Sequence, residues 1–127
     1  MKARKVLVVD DDRDVQVLLH RKLTKAGFDV VFAEDGISAT KVARAELPDI
    51  ILLDVRLPGG DGFRVLERVR HLIPLARVPI VAVSACTPDM AQRMLDEGAD
   101  AFVPKPIDPD RLIATIHGVL GPASPPS

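Results

Sequence analysis

Apolar residues along this chain fall into two alternating patterns. Continuous runs at residues 6–9 (Val6, Leu7, Val8, Val9), 50–53 (Ile50, Ile51, Leu52, Leu53) and 80–83 (Ile80, Val81, Ala82, Val83) predict strands buried on both faces, as in a parallel sheet. Shorter strands are predicted at residues 30–32 and 101–103. Between the strands the apolar positions recur every three or four residues, which predicts helices. The first carries Val15, Leu18, Leu19, Leu23 and Ala26, with Asp12 as N-cap and Gly27 as terminator. The second runs from about Ile37 to Glu46, turns Ala39, Val42 and Ala43 inward and stops at Pro48. The third opens at Asp61 and Gly62 and presents Phe63, Leu66, Val69 and Ile73. A fourth spans about Pro88 to Glu97 before Gly98, and a fifth starts near Pro109 and buries Leu112, Ile113, Ile116 and Leu120.

Five strands alternating with five helices, without an internal repeat, predict an α/β fold: a doubly wound five-stranded parallel sheet covered by helices on both faces. Right-handed crossovers favour the order 2-1-3-4-5, with the first and third strands adjacent at the switch point. Pro104 lacks a ladder donor, which suits the edge position this order gives the fifth strand.

Composition narrows the class. A chain of 127 residues reads as one domain, here residues 1–121, with a polar, Pro-rich tail at 122–127 that is flexible or begins a linker. No apolar run approaches the ~20 residues needed to cross a bilayer. The net charge of -1 provides no general attraction to nucleic acid or to an anionic membrane. A lone cysteine, Cys86, forms no internal disulfide, and a reducing cytoplasm is the expected location.

The chemistry gathers where strands end. Asp10, Asp11, Asp54, Ser84 and Lys105 all follow the carboxyl ends of predicted strands, so the sheet brings them to one rim. Neighbouring strands lie about 4.8 Å apart, which puts the acids ending strands one and three within roughly 5 Å. Each like-charge pair at that distance repels by about 3 kcal/mol at an effective dielectric near 20. Three carboxylates with no Cys or His beside them call for a hard cation, and few protein ligands plus water favour Mg²⁺. Lys105 would add a fixed charge on the far side, and Ser84 a hydroxyl donor. Taken alone, Asp54 also reads as a turn cap at a strand end.

Other polar residues have plainer readings. Asp12, Asp14 and Asp61 suit helix starts, and His20, His71 and His117 suit solvated helix positions. Cys86 has no histidine partner in its segment, while Phe102, Met90 and Met94 read as packing residues.

As a set, Asp10-Asp11, Asp54 with Pro58 four residues on, Ser84, and Lys105-Pro106 resemble the receiver domains of two-component response regulators, the single-domain chemotaxis type included. The resemblance covers about residues 5–120 and implies a flavodoxin-like fold. It implies that Asp54 is the phosphoacceptor, and that Asp11, Asp54 and the backbone carbonyl of Arg56 ligate Mg²⁺ while Asp10 holds the ion through water. Ser84 and Lys105 would bind the phosphoryl oxygens, Phe102 would change rotamer on activation, and the bond before Pro106 would be cis.

The same resemblance implies a signalling switch that catalyses only its own phosphorylation and dephosphorylation. Its donor would be the phosphohistidine of a histidine kinase or phosphotransfer protein. Output would go to a downstream protein target or output domain through the face of the fourth helix, fifth strand and fifth helix, with room for a phosphorylation-dependent dimer and without direct contact to nucleic acid or membrane. Two other classes stay open. A hydrolase of the haloacid dehalogenase kind also uses a rim aspartate and Mg²⁺ but typically needs an acid where Arg56 stands, and a receiver that binds partners without phosphorylation would not need the intact acid set.

Overall fold

The computed structural model describes residues 3–57, 62–85 and 87–121. Five parallel strands, β1 (Lys5–Val9), β2 (Asp29–Ala33), β3 (Ile50–Leu53), β4 (Ile80–Ser84) and β5 (Ala101–Pro104), pair in the order β2-β1-β3-β4-β5. Helices α1 (Arg13–Lys25), α2 (Gly36–Glu46), α3 (Gly62–Arg70), α4 (Pro88–Asp96) and α5 (Pro109–Leu120) cover both faces. The order expected from the apolar runs is the one observed, and Pro104 ends the edge strand β5.

The continuous runs are apolar because each strand feeds two cores. Leu7, Val9, Ile51, Leu53, Ile80 and Ala82 face α2, α3 and α4, where Ala39, Ala43, Val65, Leu66, Val69 and Met94 meet them. The alternate residues Val6, Val8, Ile50, Leu52, Val81 and Val83 face α1 and α5, against Leu19, Leu23, Leu112 and Ile116. A side-chain period of two on a sheet covered on both sides gives this division.

Two helix boundaries depart from the periodic reading. The third helix ends at Arg70, and Ile73 is 92% exposed at the start of a 3-10 turn over Ile73–Leu75. Pro74 has no N–H to continue the helix onto Arg70, Leu72 turns extended (φ -90, ψ 117), and the inward role expected of Ile73 passes to Val65 and Leu75. The second helix starts at Gly36, not Ile37. Asp35 is its N-cap and accepts hydrogen bonds from the Ser38 backbone N–H (2.7 Å) and hydroxyl (2.8 Å), which leaves Ile37 exposed.

The first helix keeps its expected cap, since the Asp12 side chain accepts from the backbone N–H groups of Asp14 and Val15. The turn at Pro58, Gly59 and Gly60, the helix-start role of Asp61, Cys86 and the tail at 122–127 lie outside the described residues.

Candidate functional site

Strand pairing assembles the site. Val9 and Leu53 are partners across β1 and β3, and the next residue on each strand is an aspartate. The Asp54 N–H donates to the Val9 carbonyl at 3.0 Å, which holds the two chain exits side by side. One carboxylate oxygen from each of Asp10, Asp11 and Asp54 lies within 4.8 Å of the others, matching the spacing expected from the sheet. On the other side, Ser84 closes β4 opposite Pro104 of β5, and the Lys105 N–H donates to the Ser84 carbonyl. The peptide bond between Lys105 and Pro106 is cis.

Asp10, Asp54 and Ser84 are buried, at 3%, 5% and 2% exposure, whereas Asp11 is exposed. Asp54 is held from three directions. Its Oδ1 accepts from the Ser84 hydroxyl (2.8 Å) and the Arg56 N–H (2.9 Å), and its Oδ2 accepts from Lys105 Nζ (3.1 Å). Both oxygens of Asp10 are also engaged, Oδ1 by the Asp12 N–H (2.9 Å) and Oδ2 by Lys105 Nζ (2.8 Å).

Lys105 therefore does not stand off on the far side of the acids, as the strand ends alone imply; it bonds directly to two of them. Burial lowers its affinity for the proton, but the hydrogen bonds and charges of Asp10 and Asp54 outweigh that and raise its pKa, so the ammonium persists. Burial is also the chief influence on Asp10 and pushes its carboxyl upward, against the hydrogen bonds from Lys105 and Asp12.

Three carboxylates against one ammonium leave a formal excess of two negative charges at the rim. An all-oxygen donor set with that excess fits a hard divalent ion such as Mg²⁺. Among the described residues no other cluster of acids, His or Cys has such spacing.

The remaining candidates sit apart. Phe102 is half-buried, pairs in register with Ala82 and packs against the core on the α4 side. His20 and His117 are exposed and lie near the rings of Phe32 and Phe28. Met94 is fully buried and Met90 partly.

The periodic reading put Gly62 at the opening of the third helix, where it stands, but missed its close approach to the Asp54 backbone. Its N–H donates to the Val55 carbonyl at 2.8 Å, and a Cβ there would stand 2.5 Å from the Asp54 backbone oxygen. The bare glycine thus lets α3 start directly against the segment carrying Asp54. The only sequence signal for this was Gly in a predicted first turn, which is also ordinary for a loop.

Two clefts adjoin the acids. One, of about 520 Å³, includes Asp11, Arg56, Phe63, Met90 and Arg93. The other, of about 340 Å³, lies between α1 and the chain after β5 and includes Val15, Leu18, Lys105, Pro106 and Ile107.

Comparison with known proteins agrees with this geometry. The profile of the response regulator receiver domain matches residues 6–117. The protein named "Probable transcriptional regulator ycf27" from Guillardia theta is 38% identical over 118 residues, which are 91% of this chain and 45% of that protein. The chain thus spans less than half the length of this relative. The crystal structure of the chemotaxis response regulator CheY4 of Vibrio cholerae superposes with a TM-score of 0.88 at 30% identity, covering 93% of this chain and 99% of that one. The receiver domain of the sensor histidine kinase PA1611 from Pseudomonas aeruginosa, solved with a magnesium ion coordinated in its active site cleft, gives a TM-score of 0.87 at 28% identity over 95% of this chain and all of that one. With the acid rim, Ser84 and Lys105 on a sheet of this order, the chain belongs to the response regulator receiver domain family.

Proposed function

We propose that this domain is the phosphoacceptor of a two-component phosphorelay and that Asp54 carries the phosphoryl group. The observation that carries this reading is the Asp54 carboxylate itself, buried at the rim yet bonded to Ser84, Arg56 N–H and Lys105 beside two further acids. A carboxylate retained there at such electrostatic cost is poised for chemistry.

In the transfer, an Asp54 oxygen bonds to phosphorus as the phosphorus–nitrogen bond of a donor phosphohistidine breaks, and the electron pair leaves with the imidazole. An acyl phosphate and a histidine result. Asp11, Asp54 and the Arg56 carbonyl would hold Mg²⁺, which would supply positive charge at the transferring group. Asp10, whose two oxygens already have partners, suits a role through water. Lys105 and Ser84 are placed to follow the phosphoryl oxygens, each exchanging its bond to Asp54 for one to the new group.

The donor, a histidine kinase or phosphotransfer protein, docks over the cleft of Val15, Leu18 and Ile107, where apolar side chains flank Lys105. Output leaves by the α4-β5-α5 face. Ser84 and Phe102 lie on adjacent strands, and withdrawal of the Ser84 hydroxyl toward phosphate leaves space for the Phe102 ring to turn inward. The domain is a cytoplasmic switch that catalyses only its own phosphorylation and dephosphorylation. Its target is a protein or an output domain. Among the described residues, no helix is long and apolar enough to cross a membrane.

The test is mass spectrometry after incubation with acetyl phosphate and Mg²⁺. One phosphoryl increment on Asp54, absent in Asp54→Asn, is expected. Turnover of unrelated phosphate esters would instead assign a hydrolase, and no increment in the unmodified chain would assign a phosphorylation-independent binding domain.

A further inference from the structure

The helix layer formed by α2, α3 and α4 is unevenly joined. Helix α2 packs closely along α3, but α3 and α4 make little backbone contact, and arginine side chains bridge them. The two bridges differ in kind. Arg93, in the last turn of α4, lies over the Phe63 ring in the first turn of α3 at 4.0 Å and pairs with Glu97 in solvent, its side chain 62% exposed. Just past the far end of α4, Arg70 reaches out from the last turn of α3 and donates to the Val78 carbonyl, to the Gly98 carbonyl (2.9 Å) and to the Asp100 carboxylate (3.3 Å).

Asp100 in turn accepts from the Ile80 N–H (2.8 Å), while its own N–H donates to the Ile80 carbonyl (2.8 Å). One guanidinium thus ties together the end of α3, the entry to β4 and the turn from α4 into β5. Gly98 has φ +116, a conformation that favours glycine, and the guanidinium lies against it: Arg70 Nε is 3.6 Å from where a Cβ would be. The fully buried Met94 fixes the same half of the helix in the core. Among the described residues the rim end has only the exposed Thr87 cap and the partly buried Met90.

We infer that Arg70 is a positioning residue of the switch: it anchors the far end of α4, so that a change at Asp54 displaces only the rim end of the helix. This deepens the phosphoacceptor reading and rests on it for the stimulus, while the anchor itself is a property of the unstimulated protein. A helix clamped at one end and loosely held at the other converts a small pull at Ser84 into a tilt. Without the clamp the same pull would spread along the whole helix or dissipate by loosening its end.

The experiment is amide exchange and NMR on the full chain and on Arg70→Met, which keeps the stem but removes every donor, each with and without beryllofluoride and Mg²⁺. The reporters are backbone amides at the two ends of α4. Glu97, Gly98 and Ala99 donate to Arg93, Leu95 and Met94 at the far end, and Met90 and Ala91 donate to Thr87 at the rim end.

In the unstimulated protein, Arg70→Met should speed exchange at Glu97, Gly98 and Ala99 about tenfold, the loss of one or two net hydrogen bonds, and leave Met90 and Ala91 unchanged. With beryllofluoride the unmodified chain should shift at Met90 and Ala91 and stay fixed at Gly98 and Ala99, whereas in Arg70→Met the shifts should extend to those two. Unchanged exchange at Gly98 and Ala99 in the variant, or equal shifts at both ends of α4 in the unmodified chain, would overturn the anchor.

Failure of beryllofluoride to bind the unmodified chain would defeat the phosphoacceptor reading, and the exchange comparison would still decide the anchor. If Arg70→Met does not fold, Asp100→Asn weakens the same clamp through one arm and should give a smaller acceleration at the same amides. No acceleration there would equally overturn it.

Discussion

Asp11 differs from its two acidic neighbours in being exposed, and this sets opposite signs for its two effects. It adds negative charge to a rim where Asp10 and Asp54 already share one lysine. Asp11→Asn should therefore stabilise the metal-free protein, by about 1 kcal/mol or less since solvent screens the repulsion, and the gain should fade as salt is raised. The same change should sharply weaken Mg²⁺ binding. Calorimetric titration together with urea unfolding at low and high salt measures both, and unchanged affinity would remove Asp11 from the metal shell. At this scale the sequence was informative about residues that end strands, because a strand end has one location once the sheet is parallel. It was silent about Arg70, whose partners are mostly backbone carbonyls, since every residue carries a carbonyl and none advertises which side chain will reach it. It also placed Lys105 on the correct rim without revealing that it bonds directly to Asp10.

Helix starts carry two further predictions. Asp35 caps α2, and its carboxyl is held below the ordinary 3.8 first by the Ser38 backbone N–H and then by the Ser38 hydroxyl. A depressed folded pKa means that the stabilisation is fully present above the unfolded value and is lost as pH falls through the lower folded one. Asp35→Asn keeps a capping oxygen but not the titration. Urea unfolding should show the unmodified chain ahead by a constant margin from about pH 7 to about pH 5, with the margin shrinking in acid; a margin independent of pH would mean that charge plays no part in the cap. Glycines in the two helices α3 and α5 should respond oppositely to alanine. At Gly62 the new Cβ meets Asp54 and Val55 backbone at 2.5 and 2.8 Å, so Gly62→Ala should cost about 1–3 kcal/mol and lower Mg²⁺ affinity by displacing the Asp54 segment. At Gly118, inside α5, nothing lies within 4 Å, and Gly118→Ala should add about 0.5–1 kcal/mol. Equal effects at the two sites in denaturant unfolding would refute the close-approach argument. Element types were legible from apolar period alone. Boundaries were less so, as Ile73 shows: its spacing fits the α3 stripe, and only the backbone constraint imposed by Pro74 takes it off the helix.

Across the whole molecule the topology was legible because three strands are apolar on both faces and Pro104 marks an edge, which together leave few arrangements of a right-handed parallel sheet. The division into two cores then governs how a signal can travel. Ser84 ends β4 and Lys105 follows β5, in the half of the sheet on which α4 and α5 pack, whereas β2 at the opposite edge is separated from them by β1 and β3. When both side chains turn toward a phosphoryl group on Asp54, the displaced elements should be those attached to β4 and β5. The Lys105 N–H bond to the Ser84 carbonyl couples the two strand ends, and Phe102, three residues before Lys105, packs against the α4-side core. NMR shifts on adding beryllofluoride with Mg²⁺ should accordingly concentrate within residues 88–120, with α4 responding at its rim end, while α2 and β2 stay near their starting positions. Asp54→Asn should abolish the pattern, because the mimic then has no carboxylate to bind. Shifts confined to the acids and to residues 54–57, with α4, β5 and α5 silent in the unmodified chain, would show that the rim is occupied without moving the surface, and would leave the α4-β5-α5 face without a role in output.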